Sequence, residues 1–190
     1  RNPGGATENV LAHNWIDGAT HLMSLPDGRF FAADDWDARR WPQPISAGLY
    51  LDWNIDDTLI EGNLVTDSYG GILLVNSDNT LVRGNVVAGG YAAAFAVNDQ
   101  PAEGRPPMDG NRFERNVVLR DHPNAAAVQV YDPPGGPPPA RFSNNVYWGD
   151  AVTGEAFIVQ GRGWPNDRRG DIAAWNAQDD VVTGEGVADP

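Results

Sequence analysis

Short apolar runs of three or four residues alternate with polar turns along most of this chain, and an asparagine holds the same place in each. The phrase is apolar–x–x–Asn–apolar–apolar, as in Leu59-Ile60-Glu61-Gly62-Asn63-Leu64-Val65 and Leu81-Val82-Arg83-Gly84-Asn85-Val86-Val87. It returns as Phe113-Glu114-Arg115-Asn116-Val117-Val118 and Phe142-Ser143-Asn144-Asn145-Val146-Tyr147, and in degraded form as Val10-Leu11-Ala12-His13-Asn14-Trp15-Ile16. Asn63 and Asn85 are 22 residues apart. A period in the low twenties built on short β-branched strands marks a solenoid that adds one coil per repeat. Residues 58–65, 80–87, 112–118 and 141–147 are therefore expected to stack as parallel strands at roughly 4.8 Å. Asn63, Asn85, Asn116 and Asn145 should form one column of amides, each bonded to the next, as in the ladders of cross-β assemblies. Asn76 and Asn98, which end the apolar runs Ile72–Val75 and Ala94–Val97, suggest a second column.

Composition narrows the partners. The chain has 190 residues, a net charge of −13 and 13 cations, every one of them arginine. One domain is expected, large enough to bury a core. Its acidic surface repels phosphate backbones and anionic lipid, so neither nucleic acid nor a membrane is an expected partner. No apolar run approaches the 18 or so residues of a membrane span. The absence of cysteine removes thiolate metal sites and suits the outside of a cell.

Three stretches break the repeat: 26–46, 99–110 and 132–139. Insertions on a solenoid tend to gather on its binding face. The first carries Asp34, Asp35, Asp37, Arg39, Trp36 and Trp41, the types that stack on sugar rings and bind hydroxyls. The same tryptophans would serve equally to fasten the loop to the barrel. The other two are proline-rich and poor in donors.

The most chemical segment is Gly48-Leu49-Tyr50-Leu51-Asp52-Trp53. Alternation puts Leu49, Leu51 and Trp53 on one face and Tyr50 and Asp52 on the other. With the leucines inside, Asp52 projects outward from a rigid strand, a suitable mount for a catalytic group. Asp56 and Asp57 follow in the turn and read as turn-formers.

The repeats resemble the right-handed parallel β-helix superfamily of carbohydrate-active proteins, from Asn9 to Pro190. The expected fold is accordingly an all-β right-handed parallel β-helix of about five or six coils. A short helix, Ile172 to Ala177, is expected to be capped by Asp171 and to cover the last coil with Ile172 and Trp175. Leu51-Asp52-Trp53 is similar to the Leu-Asp-Trp strand of bacterial β-helix glycosidases, including relatives of β-xylosidases. The resemblance implies a catalytic aspartate at Asp52 and a glutamate one coil on, where this chain has Leu74 or Val75. The closing segment also resembles that family, whose chains run on past the Asp-Pro. The chain is thus expected to be the C-terminal portion of a larger protein, its first coil covered by another chain or by self-association.

The leading expectation is a glycoside hydrolase acting on neutral glycans, extracellular or at the surface of a bacterium or archaeon. Adjacent coils bring matched side chains to roughly 5 Å, near the separation of a retaining carboxylate pair. Partners for Asp52 are then Asp67 in the next corner or Asp35, with its neighbours Asp34 and Asp37. Tyr50, Trp53, Trp36, Trp41, Tyr69 and Arg39 are the expected sugar contacts. No cofactor is expected, and calcium finds at most a weak site at Asp34-Asp35-x-Asp37. His13 and His21 have no ligand run near them, so no metal centre is expected. A non-catalytic glycan-binding adhesin or tailspike-like scaffold is the main alternative. A polysaccharide lyase or uronate epimerase suits this charge badly, because either binds a polyanion.

Overall fold

Each repeat begins with a strand of three or four residues that stops at one left-handed residue. His13, Gly62, Gly84, Arg115 and Asn144 hold φ between 53° and 63° immediately before the repeated asparagines. A left-handed residue strains any side chain with a Cβ, which accounts for glycine at two of the five. The turn redirects the chain, and the asparagine opens the next strand. The computed structural model describes residues 5–19, 23–24, 30–31, 47–90, 92–100, 106–120, 125–132, 136–149, 156–161, 168–177, 182–183 and 186–187.

The strands fall into three sheets that the chain visits in rotation. One cycle runs Leu59–Glu61 in the first sheet, Leu64–Thr66 in the second and Gly70–Val75 in the third. The next cycles are Leu81–Arg83, Val86–Ala88, Ala93–Asn98 and then Asn111–Glu114, Val117–Arg120, Ala126–Asp132. Ala140–Ser143, Val146–Gly149 and Phe157–Gly161 follow. Val10–Ala12, Trp15–Asp17 and Ala47–Asp52 stand first in their sheets. Neighbouring coils pair in parallel without slippage, for example Val82 between Ile60 and Phe113. The protein is all-β with a parallel, solenoid-like order. Two departures are local: Met23–Ser24 pairs antiparallel with Phe30–Phe31, and Arg168–Gly170 folds back antiparallel on Phe157–Gly161.

Inward rows fill the interior: Ile60, Val82, Phe113 and Phe142 from the first sheet, Val65, Val87, Val118 and Tyr147 from the second. Toward the C-terminus the filling turns aromatic. Phe113 lies between Phe95 and Phe142 at 5.1 and 4.8 Å between ring centres. Trp175, from the helix Ile172–Asn176, stands edge-on to Phe142 at 5.1 Å and is buried. The Asp171 carboxylate accepts from the Ala174 amide at 2.9 Å, so the expected cap and the buried Trp175 are both present.

The amide column is continuous over five coils. The backbone and side-chain N–H groups of Asn14, Asn63, Asn85 and Asn116 each donate to Oδ1 of the next asparagine, ending on Asn145, at 2.8–3.0 Å. The amides of Asn63, Asn85, Asn116 and Asn145 also donate back to a carbonyl of the preceding coil, as Asn63 does to Leu11 at 2.8 Å. The second column expected from Asn76 and Asn98 does not form. Val75, one residue earlier, pairs with Asn98, which stays in the strand, while Asn76 turns left-handed and accepts from the Gln100 amide. A different column occupies that corner: Asp56 accepts from the Asp78 amide and Asp78 from the Asp109 amide, at 2.9 and 3.0 Å.

The outer faces of the three sheets differ. The first is charged, with Arg83 on Glu61 at 2.8 Å and Arg112 near Glu114. The second presents an apolar row in register, Trp15, Leu64, Val86, Val117 and Val146. The third holds a cleft.

Candidate functional site

The cleft lies on the outer face of the third sheet and encloses ≈ 370 Å³. Register dictates what lines it. Asp52 pairs with Val75, Val75 with Asn98, Asn98 with Tyr131 and Tyr131 with Gln160, one residue per coil. Two residues upstream, Tyr50, Leu73, Ala96 and Gln129 form a parallel row. Because every second residue of a strand faces outward, both rows border the same trough. Its floor is apolar, and its walls are phenols and amides. The Gln129 amide donates to Gln160 across one coil step at 3.4 Å.

Tyr50 and Asp52 stand two apart on one strand, and the phenol donates to the carboxylate. Burial, that hydrogen bond and the nearby negative charge together push the Tyr50 phenol up to about 12. Burial alone raises Tyr69 to about 12. Asp52 remains exposed and carries the one carboxylate on the cleft lining among the described residues.

These shifts set the response to alkali. Below about pH 10 both phenols are protonated in the folded and unfolded chains. Between about 10 and 12 the unfolded chain releases protons that the folded chain retains, so stability should fall as pH rises through that window. An ultraviolet phenolate titration should show two late-ionising tyrosines, and Asp52→Asn should bring one of them earlier. Ionisation of all tyrosines near the ordinary value would contradict this picture of the cleft.

Several expectations need correction. Trp53 does not follow Leu49 and Leu51 inward. The strand ends at Asp52, Trp53 and Asn54 turn left-handed with φ of 44° and 63°, and the indole swings outward beside Asp52. It is 44% exposed, and that turn is what makes it available to a ligand. Asp67 is not brought to Asp52. It sits in the corner three residues before Gly70, and Gly70 pairs with Ala47 at the opposite end of the strand that carries Asp52. Five residues of strand separate those ends by roughly 16 Å. The residue one coil along from Asp52 is Val75, which cannot transfer a proton.

Tyr50, Asp52, Trp53 and Tyr69 all line the cleft, with Tyr69 beside Gly70 at the end away from Asp52. Asp35, Trp36, Arg39 and Trp41, with Asp34 and Asp37, lie outside the described residues. Asn98, Gln129, Tyr131 and Gln160 were missed. Alternation in Ala96-Val97-Asn98 and Val128-Gln129-Val130-Tyr131, aligned on Asp52, was the signal that would have found them. The interruptions 26–46, 99–110 and 132–139 all adjoin ends of third-sheet strands: the first leads into Ala47, the others leave Asn98 and Asp132. Among the described residues, no three histidine, aspartate or glutamate side chains gather closely enough for a metal ion.

Chemically, the lining offers flat apolar and aromatic surface, amides that both donate and accept, and one carboxylate. Such a lining suits a ligand that combines flat apolar faces with hydrogen-bonding groups. Hydrolysis of a glycosidic bond needs a second carboxyl group about 5–9.5 Å from the first, and the described lining supplies none. Comparison with family models, with curated proteins and with solved structures gives no match.

Proposed function

We propose that this chain is a carbohydrate-binding protein of the right-handed parallel β-helix type, holding an oligosaccharide along the third sheet. The observation that carries the reading is the lining of the cleft: an apolar trough edged by Tyr50, Trp53 and Tyr131, with Asn98, Gln129 and Gln160 spaced along it. Aromatic faces cover the apolar faces of sugar rings, and amides satisfy hydroxyls that a purely apolar groove would leave unpaired. A repeating ligand suits a repeating surface, because each coil presents one new position per row. Glycans rich in acidic groups are excluded by Asp52 and the net charge of −13.

Glycoside hydrolysis is the second reading, and the placement of Asp52 favours it. This carboxylate sits on a strand end at the head of the cleft, oriented by Tyr50. With Val75 opposite, the second carboxyl group would come from Asp34, Asp35 or Asp37 in the 26–46 segment.

One experiment separates the two. Calorimetric titration with oligosaccharides should show binding that Trp53→Ala weakens by roughly tenfold or more, the loss of one aromatic stacking contact. Release of new reducing ends, cut by several orders of magnitude in Asp52→Asn, would establish the hydrolase. Binding without release supports the non-catalytic reading, and no binding to any glycan removes both.

A further inference from the structure

We propose that the glycan taken by this cleft carries free amines, with one ammonium group seated on Asp52. The inference rests on the carbohydrate-binding reading and narrows its ligand. Its ground is the charge inventory of the site. Among the described lining residues Asp52 is the one acidic side chain, and no arginine stands there to pair with it. Arg83, Arg112 and Arg141 belong to the first sheet and Arg120 to the second, and none of the four lines the cleft. Tyr50 donates a single hydrogen bond to Asp52, while a carboxylate offers about four acceptor positions. Most of its capacity is therefore unused within the site.

The surroundings suit a cation better than a hydroxyl. Val75 lies directly across from Asp52, and Leu73 and Ala96 complete an apolar floor. Such a floor offers no competing donor and strengthens a charge pair relative to open water. Tyr50 and Trp53 flank the carboxylate, and aromatic faces beside an acid are the usual surroundings of a bound ammonium ion. An excess of 26 acidic over 13 basic residues draws cations toward the molecule as a whole. Farther along the trough the partners are neutral, Asn98, Gln129 and Gln160, so a single amine is read by charge and the remaining rings by hydrogen bonds. A deacetylated amino-sugar chain has this chemistry, and its N-acetylated counterpart does not.

The full chain would be titrated calorimetrically with glucosamine, N-acetylglucosamine and glucose oligomers of equal length, at a pH where the amines are protonated. The glucosamine oligomer should bind roughly tenfold or more tightly than the other two, the discrimination expected of one partly desolvated charge pair. Its advantage should shrink with added salt and disappear in Asp52→Asn. Equal or weaker binding of the glucosamine oligomer would overturn this proposal and leave the carbohydrate-binding reading standing. An advantage that survives Asp52→Asn would also overturn it, because the charge would then be read elsewhere. Failure of all three oligomers would overturn it too, while the broader reading falls only when no glycan binds.

Discussion

Phe113→Ala is expected to lower the unfolding free energy by about 3–5 kcal/mol. Phe113 is wholly buried, with Phe95 at 5.1 Å on one side and Phe142 stacked at 4.8 Å on the other. Those neighbours belong to separate strands hydrogen-bonded in a fixed register, so they cannot close over the space a lost ring would leave. The transfer cost and the cavity cost then add. For a chain of this length each kcal/mol moves the melting temperature by roughly 2–4 °C, so a drop on the order of 10 °C should appear in a thermal melt. Phe113→Leu keeps most of the volume and should cost markedly less. Similar melts for the two variants would mean that the aromatic row is not packed as described.

Asn85→Ala should be the most damaging change at any corner. The substitution deprives both the backbone and side-chain N–H of Asn63 of their acceptor. It also removes the donor to the Ile60 carbonyl and to Asn116 Oδ1. Each buried group left unpaired costs about 1–3 kcal/mol. Two or more stranded together put the expected loss near 3 kcal/mol or above, measurable by denaturant titration. Asn14 provides the contrast, since it is exposed and ends the column. Asn14→Ala should fall within about 0.5 kcal/mol of the parent. A neutral Asn85→Ala would show that the ladder is open to water.

What could be read from the letters was whatever repeats. Asn63, Asn85, Asn116 and Asn145 announced their column because a fixed side chain at a fixed place in the coil needs the same letter each time. Asp56, Asp78 and Asp109 form a second column with the same offsets, which the letters hide because no apolar phrase surrounds it. Asn76 and Asn98 shared the right spacing and were still not partners, since spacing between two residues does not fix which strand position each occupies. Alternation places Trp53 inside, a rule that holds only while the strand continues, and the backbone leaves the strand at that residue. Asp67 looked close to Asp52 because one corner follows another in sequence. In space, one carboxylate stands where the chain enters the third sheet and the other where it leaves. The cleft itself was half legible: Asp52 stood out as a charge in an apolar run, while Asn98, Gln129 and Gln160 looked like ordinary surface.

The amide column steps by 49, 22, 31 and then 29 residues while its hydrogen bonds stay between 2.8 and 3.0 Å. Chain length between rungs is thus decoupled from the geometry of the rungs. In the first step the added residues come before the third-sheet strand; in the last two most of them leave at its end, and the chain returns to the same place in the first sheet. Closing a longer loop costs only about 0.6 kcal/mol for each doubling. The scaffold behaves as a rack with fixed pegs and exchangeable hangings: variation can accumulate at the mouth of the cleft, by insertion as readily as by substitution, without any strand having to find a new partner.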